Sequence, residues 1–277
     1  MPTLPSDITE TVKRAISEDI GQGDLTSALL EPEPAIATIV TRQNMILCGC
    51  AWFGEVFHQI DPSITVHWHI NECAPVTENT ELCSLTGPSS SLLTGERTAL
   101  NFLQTLSATA TITADYVSAV EGTKAKILDT RKTIPGLRSA QKYAVACGGG
   151  FNHRMGLYDA ILIKENHIAA AGSIRKVVAH AREKFPDTFI EIEVENLKEL
   201  EQALDAGPNR ILLDNFSLED LRQAVLLNSG CNKLEASGGV SMQTIREIAE
   251  TGVDYISIGA ITKDINAIDL SMMLLAT

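Results

Sequence analysis

The sequence predicts an α/β protein whose C-terminal half is an incomplete, open α/β barrel. After Gly122 the chain alternates apolar strands, polar strand ends and amphipathic helices, which is typical of a parallel sheet covered by helices. The last four of these units recur at about 22 residues, a repeat short enough for a barrel. Only six strands are recognisable, so a closed eight-stranded barrel is not expected.

The N-terminal half of the sequence predicts both helices and strands, which differ in the spacing of their apolar residues. Ser6 and Asp7 can cap a first helix that runs to about Asp19, and the glycines Gly21 and Gly23 end it. Period-2 alternation predicts two strands, and spacing of three and four between apolar residues predicts helices. The expected elements are strands over residues 35–48 and 64–70, a helix over 49–60 and a long helix over 91–120.

The barrel elements follow in alternating order. The β-branched and leucine runs predict strands over residues 125–129, 159–164, 189–194, 210–214, 233–237 and 255–259. The intervening amphipathic stretches predict helices over residues 173–184, 197–206, 218–228 and 241–251.

Composition excludes several classes of protein. The chain of 277 residues is 44% hydrophobic and has a formal charge of −13, which argues against a general nucleic-acid binder. No apolar run is long enough for a signal peptide or a membrane span, so a soluble, cytoplasmic protein is expected. The six cysteines contain no C-x-x-C pair and predict reduced thiols. For Cys48 and Cys50, structural thiols are favoured over a metal site because a second pair is missing.

The stretch from Leu128 to His167 concentrates cations in an otherwise acidic chain. An acidic protein must build any anion site locally, and loops that follow apolar strands are common places for function. Single lysines and arginines are usually solvated, but here they adjoin a turn or the Gly148–Gly150 run, where backbone can approach a ligand. The cations are Arg131, Lys132, Arg138, Lys142, His153, Arg154, Lys164 and His167.

Polar residues stand at the predicted carboxyl ends of the barrel strands, where barrel enzymes place their catalytic groups. Glycine turns after the last two strands favour a phosphate site, because free backbone N–H groups and helix N-termini bind anions. Carboxylates at the same rim can stabilise positive charge that develops in a transition state. These strand-end residues are Asp129, Arg131, Lys132, Lys164, Glu193, Glu195, Asp214, Ser237, Gly238, Gly239, Gly259 and Ala260.

The chain resembles the quinolinate phosphoribosyltransferases, the decarboxylating enzymes of NAD biosynthesis. The resemblance is carried by DTRKT and PGLR, by GGG-x-NHR and by the K-x-x-H of Lys164 to His167. It extends over nearly the whole chain through EDIGQGDLT, TGERTALNFLQTLS, EIEVEN, LLDNF and ASGGV. It implies an N-terminal α/β sandwich domain over residues 1–120, joined by residues 265–277, and a catalytic open barrel over residues 121–264.

The resemblance also implies the site. It assigns quinolinate to Arg97, Arg131, His153, Arg154, Lys164 and His167. It assigns phosphoribosyl pyrophosphate to Lys132, Glu193, Asp214, Ser237, Gly238, Gly239, Gly259 and Ala260, with Lys132, Glu193 and Asp214 as catalytic residues. Mg²⁺ is expected through pyrophosphate, with Glu193 and Asp214 as possible ligands, and no organic cofactor is needed. The expected assembly is a homodimer with shared active sites, or a higher oligomer, in which Arg97 reaches the partner subunit's site.

One departure and two alternatives remain. Asp264 stands where family members often carry histidine or serine, and we expect it to point outward. A related phosphoribosyltransferase-like protein could use another anionic acceptor, although Arg131, Arg154 and Lys164 exceed what a monocarboxylate needs. A non-catalytic phosphosugar-binding barrel would have little need for Glu193 and Asp214.

Overall fold

The computed structural model describes residues 1–29, 31 and 33–275, which form two compact units. The first contains Met1–Ala114, Thr133–Gly149 and Ile261–Thr277, and the second contains Asp115–Lys132 and Gly150–Ala260. This division differs from the predicted one chiefly at Thr133–Gly149, because a helix there packs into the core of the first unit. Of the predicted C-terminal segment, residues 276 and 277 lie outside the described residues.

The first unit is built on an antiparallel sheet with strand order β12-β1-β5-β3. Ile39 of the central strand pairs with Met272 on one side and Cys83 on the other. Strands β2 and β4 form a separate two-stranded antiparallel sheet. The elements are α1 (Ile8–Ile20), a 3₁₀ turn (Ser27–Leu29), β1 (Pro34–Thr41), β2 (Met45–Ile46), α2 (Cys50–Ile60), β3 (Thr65–Trp68), β4 (Pro75–Val76), β5 (Glu81–Pro88), α3 (Ser89–Ala119), α4 (Arg138–Cys147) and β12 (Leu270–Leu275).

The core of the first unit is aromatic and aliphatic. Trp52 and Phe53 of α2 are fully buried, and Trp52 packs against Tyr143 of α4 with ring centroids 5.4 Å apart. Leu100 and Leu103 of α3 join the same cluster. Burial of side chains this large stabilises a fold by about 1.5–3 kcal/mol each.

The second unit is a six-stranded parallel sheet in the order β6-β11-β10-β9-β8-β7. β6 and β7 lie at opposite ends of this order, so the sheet is open, as predicted. The elements are β6 (Lys126–Leu128), β7 (Ile161–Ile163), α5 (Glu165–Ala171), α6 (Ile174–Lys184), β8 (Ile190–Val194), α7 (Leu197–Ala206), β9 (Arg210–Asp214), α8 (Leu218–Asn228), β10 (Lys233–Ser237), α9 (Ile245–Glu250) and β11 (Tyr255–Ser257). A last helix, α10 (Ala260–Lys263), begins at Ala260, the final residue of this unit.

Three helices of the second unit, α6, α7 and α8, begin at side-chain caps. Asn196 accepts a hydrogen bond from the N–H of Glu199 at 3.0 Å, and Ser217 accepts one from Asp220 at 3.1 Å. Such caps satisfy backbone donors that the helix leaves unpaired, and each is worth about 1 kcal/mol. They fix where α7 and α8 begin, and therefore where β8 and β9 end.

The structure corrects the predicted cap of the first helix. Asp7 makes no side-chain cap bond, and its Oδ2 instead accepts a hydrogen bond from Ser139 Oγ at 2.7 Å. Three helices were missed, α4, α5 and α10, and the single strand predicted over residues 35–48 is two strands, β1 and β2. Within the described part of the chain, no helix is both long and apolar enough to cross a membrane.

Candidate active site

A cleft of 490 Å³ opens at the carboxyl ends of the barrel strands. Its position follows from strand geometry, because alternate residues share one face and the last residue of each parallel strand reaches the same rim. Every residue that lines it belongs to the second unit. The lining residues are Thr130, Arg131, Lys132, His153, Arg154, Leu162, Lys164, Glu193, Leu212, Asp214, Asn215, Glu235, Ser237, Gly238, Gly239 and Ser257.

Two arginines form the cationic side of the cleft. Burial and repulsion from Arg131 lower the pKa of the Arg154 guanidinium, although Glu191 and Asp159 act in the opposite direction. Arg154 Nη1 donates to the carbonyl oxygen of Ala160 at 3.2 Å. Arg131 Nε is buried and has no hydrogen-bond partner among the described residues. The pair is therefore suited to an anion that neutralises both charges.

The carboxylates lie on neighbouring strands. Glu193 near the end of β8 accepts a charge-assisted hydrogen bond from Lys164 Nζ at 2.6 Å. Asp214 at the end of β9 accepts one from Asn215 Nδ2 at 2.9 Å. Lys164 and Glu193 form an ion pair at the rim, so the cleft has negative groups beside positive ones.

Two positions require glycine because a neighbouring side chain lies where a Cβ atom would be. Gly238 has φ +97°, and a Cβ there would collide with the side chain of Asn215. A Cβ on Gly259 would lie 2.8 Å from Cδ of Lys132, which is closer than real Cβ contacts. Gly259 does not line the cleft. Because it has no side chain, it leaves space for the side chain of Lys132.

A buried charge network lies one layer below the rim. His153 Nε2 lies 2.8 Å from Glu191 and 3.7 Å from Glu235, and both carboxylates are almost fully buried. Arg210 Nε approaches Glu191 Oε1 at 2.7 Å, outside hydrogen-bond alignment, while its Nη2 donates to Oε2 at 3.3 Å. Arg210 also stacks on Phe189, with its guanidinium carbon 5.2 Å from the ring centroid.

The pKa values of the two buried carboxyl groups are shifted in opposite directions. Burial raises the pKa of Glu191, but the hydrogen bond from His153 and the charge of Arg210 outweigh it and keep that pKa below its usual value. Burial and repulsion from Glu191 raise the pKa of Glu235 well above its usual value, against the effect of Arg210. The network therefore favours the ionised form of Glu191 and the protonated form of Glu235. His153 Nδ1 accepts from the N–H of Arg154 at 2.7 Å, so the network also positions the backbone of a cleft arginine.

The sequence did not single out Glu191, Arg210 or Glu235 as site residues. A signal existed, since Glu191 is two residues before Glu193 and alternation places both on one face of β8. Charged residues at barrel positions that should be buried are rare unless they are paired.

Four predicted site residues do not line the cleft: Arg97, His167, Gly259 and Ala260. Arg97 is exposed on α3 in the first unit. His167 is exposed, and its Nδ1 accepts a hydrogen bond from the N–H of Lys164 at 3.0 Å, capping α5. Ala260 is the first residue of α10. Asp264 is largely exposed and pairs with Lys263 at 3.1 Å, which agrees with the expected outward orientation.

Comparison with known families covers both halves of the chain. The model of the quinolinate phosphoribosyl transferase C-terminal domain matches residues 109–273, and that of the N-terminal domain matches residues 24–107. The chain belongs to the quinolinate phosphoribosyltransferase family. Family membership confirms the predicted enzyme class, a decarboxylating quinolinate phosphoribosyltransferase of NAD biosynthesis.

Individual relatives agree with this assignment. The chain is 41% identical over 257 residues to a probable nicotinate-nucleotide pyrophosphorylase [carboxylating] of Bacillus subtilis, covering 92% of this chain and 89% of that one. It is 39% identical to the Mycobacterium leprae nicotinate-nucleotide pyrophosphorylase [carboxylating], covering 95% of both chains. The solved nicotinate-nucleotide pyrophosphorylase of Francisella tularensis superposes with a TM-score of 0.96 at 49% identity, covering 99% of this chain and 98% of that one. This superposition confirms the predicted open α/β barrel.

Proposed function

We propose that this cleft transfers a phosphoribosyl group from phosphoribosyl pyrophosphate to quinolinate, and that Arg131 and Arg154 hold the acceptor. The observation that carries the assignment is the pair of partly buried arginines that repel each other, one with an unpartnered buried Nε. Quinolinate has two adjacent carboxylates on a rigid ring, which match two forked guanidinium groups. Lys164 and His153 complete the acceptor side, and the Arg131 and Arg154 charges make a dianion a better ligand than a monoanion.

The sugar and its phosphates would lie towards the glycine turns. Gly238 and Gly239 have positive φ angles after β10, a conformation in which backbone N–H groups can converge on an anion. Ser237 ends the same strand and supplies a hydroxyl. With Lys132, held against Gly259, these groups are suited to the 5′-phosphate and pyrophosphate ends of the donor. Ala260 and its N–H group begin the helix that follows.

The reaction then proceeds with residues of this cleft in defined roles. The bond between sugar C1 and the pyrophosphate oxygen breaks, pyrophosphate leaves with the electron pair, and the quinolinate nitrogen bonds to C1. Glu193 and Asp214 stabilise the positive charge that develops on the sugar ring. The 2-carboxylate next leaves as CO₂, and the pyridinium nitrogen stabilises the electron pair left on C2 until a proton from solvent takes it. Nicotinate mononucleotide is the product.

Mg²⁺ fits the donor side of the cleft. Magnesium commonly binds through one or two carboxylates together with substrate phosphates, and Glu193 and Asp214 are carboxylates on adjacent strands. When bound, the ion would neutralise charge on the departing pyrophosphate. The cluster of His153, Glu191 and Glu235 does not fit this ion, because the Arg210 guanidinium already lies 2.7 Å from Glu191 and 3.2 Å from Glu235.

We also propose that the active unit is a homodimer with shared sites. Arg97 is exposed on the first unit and does not line the cleft, yet it stands in the TGERTALN motif through which the chain resembles the family. Contribution of Arg97 to the partner subunit's cleft would reconcile these observations. A cytoplasmic location is proposed as well, and the six free cysteines support a reducing compartment.

A binding titration tests the acceptor assignment. Arg154→Ala should weaken quinolinate binding by about 2–3 kcal/mol, roughly 30- to 150-fold, because a buried charged pair is lost. Affinity for phosphoribosyl pyrophosphate should change less than about threefold. Arg175→Ala, on the exposed face of α6, is the matched control. Equal loss of both ligands, or unchanged quinolinate affinity, would contradict the assignment, and wild-type affinity equal for nicotinate and quinolinate would favour another anionic acceptor.

A further inference from the structure

A second cluster of reactive side chains lies in the first unit and takes no part in the proposed reaction. A sulfur of Cys48, a carboxylate oxygen of Glu72 and the sulfur of Cys147 all lie within 4.8 Å of one another. Cys48 precedes α2, Glu72 follows β3 and Cys147 ends α4, so three separate segments converge. A fourth donor, the Cys73 thiol, is hydrogen-bonded to Cys147.

The backbone around the cluster is held in place. Both oxygens of Glu72 accept hydrogen bonds from backbone amides at the start of α2, Gly49 at 2.9 Å and Cys50 at 3.1 Å. Ser107 Oγ accepts from the N–H of Cys48 at 3.0 Å and donates to its carbonyl oxygen at 3.1 Å. Each carboxylate oxygen keeps a second lone pair, so these bonds orient Glu72 without exhausting its acceptor capacity. Such outer bonds are typical of metal ligands.

The backbone of the fourth donor is also constrained. Cys73 has φ +65°, a left-handed conformation that a non-glycine residue rarely adopts. Its N–H donates to the carbonyl oxygen of Leu47 at 2.8 Å, which ties it to the residue before Cys48. The unusual conformation therefore belongs to a segment that is fixed beside the other thiols.

The donor set selects the kind of ion. Thiolates bind Zn²⁺ and other thiophilic cations, whereas Mg²⁺ prefers oxygen ligands alone. Three sulfurs and one carboxylate would give four ligands, the usual number at a structural zinc site. We propose that Cys48, Glu72 and Cys147, with Cys73 as the fourth ligand, form a binding site for a thiophilic divalent cation of the zinc class.

Binding has a defined charge balance. Each thiol that becomes a ligand gives its proton to the solvent, so three protons leave as one dication enters. Because binding releases protons, affinity should rise with pH. The site does not depend on the proposed catalytic roles, because none of its ligands lines the active-site cleft.

Metal binding to the purified full-length protein tests the proposal. The protein is stripped with a chelator, kept reduced with a phosphine, and titrated with Zn²⁺ by equilibrium dialysis and with Co²⁺ by absorption spectroscopy. We expect one tightly bound ion per chain and a cobalt spectrum with sulfur-to-metal charge-transfer bands. Cys147→Ser and Glu72→Gln should each weaken binding by more than the tenfold typical of losing an outer partner. Cys231→Ser, which changes an exposed free thiol, should bind as the wild type does.

The outcomes separate this site from its alternatives. Absence of stoichiometric Zn²⁺ binding by the reduced wild type would overturn the proposal, whatever the variants do. Unchanged binding in a Cys48→Ser, Cys147→Ser double variant would place the ion elsewhere and overturn it equally. Cobalt bound without charge-transfer bands would exclude thiolate ligands. Wild-type binding is measured first, so misfolding of a variant does not affect that result. Circular dichroism identifies any variant that fails to fold.

Discussion

Replacement of Arg210 by methionine tests the buried network below the cleft. Glu191 is the ionised carboxylate of the network, and Arg210 Nε lies 2.7 Å from its Oε1. At an effective dielectric constant of about 20, opposite charges at this separation attract by about 6 kcal/mol. Desolvation of the arginine cancels part of this gain in the wild type, and removal of one partner from a buried pair costs about 3–5 kcal/mol. We therefore expect Arg210→Met to lower the free energy of unfolding by about 3–5 kcal/mol.

The measurement is urea unfolding followed by circular dichroism between pH 5 and pH 8. Lys233→Met is the matched control, because its ion pair with Asp254 at 3.0 Å involves a largely exposed lysine and should be worth at most about 1 kcal/mol. A loss below 1 kcal/mol for Arg210→Met, or a loss equal to the control's, would refute the assignment of Glu191 as a buried anion.

The pH dependence supplies a second check on the same variant. The folded-state pKa of Glu191 lies below its unfolded value, so its contribution to stability is present above the unfolded pKa and is lost as pH falls through the folded pKa. In Arg210→Met the main fixed cation is gone and the carboxyl can take up a proton at a higher pH. The difference between wild type and variant should therefore shrink as the pH is lowered from 8 to 5. A difference independent of pH would mean that lost packing, rather than lost charge, causes the destabilisation.

Three further predictions concern the site. Glu193→Gln combined with Asp214→Asn should lower kcat by roughly 100- to 1000-fold in a steady-state assay while quinolinate affinity changes little, and wild-type turnover would remove both residues from the reaction. Glu235→Gln should gain stability relative to the wild type as pH rises above the unfolded-state pKa, because the wild-type carboxyl then ionises in the unfolded chain while its raised pKa keeps it protonated in the folded one; a constant difference in urea midpoints would contradict the raised pKa. Mixing inactive Arg97→Ala with inactive Lys132→Ala protein should restore roughly a quarter of wild-type activity after subunit exchange, and no recovery despite exchange would rule out shared sites.

The elements with strong local signals were predicted to the residue. β9, β10, α7 and α8 have the predicted bounds, because apolar runs define the strands and side-chain caps at Asn196 and Ser217 define the helix starts. Most of the predicted cleft residues lie at strand ends for the same reason. Their roles stay predictions, since placement in a cleft does not by itself establish chemistry.

The parts that the sequence did not predict depend on contacts between distant segments. Helix α4 was missed because its residues were taken for a cationic loop, whereas Tyr143 and Ala144 are buried in the first unit's core. The buried network was missed because Glu and Arg are usually exposed, and only the three-dimensional pairing makes their burial tolerable. The thiol cluster depends on segments that are far apart along the chain, so no local pattern reveals it.

The central position of β1 has a consequence for how the chain is made. β1 hydrogen-bonds to β5 on one side and to β12, the last described strand, on the other. During synthesis, one edge of β1 must therefore remain unpaired until the ribosome has released β12, more than 200 residues later. Unpaired strand edges are templates for association with other chains, and long-range pairing forms slowly. The nascent protein thus carries an edge open to association until β12 has been made, and a chain truncated before residue 270 would keep it permanently.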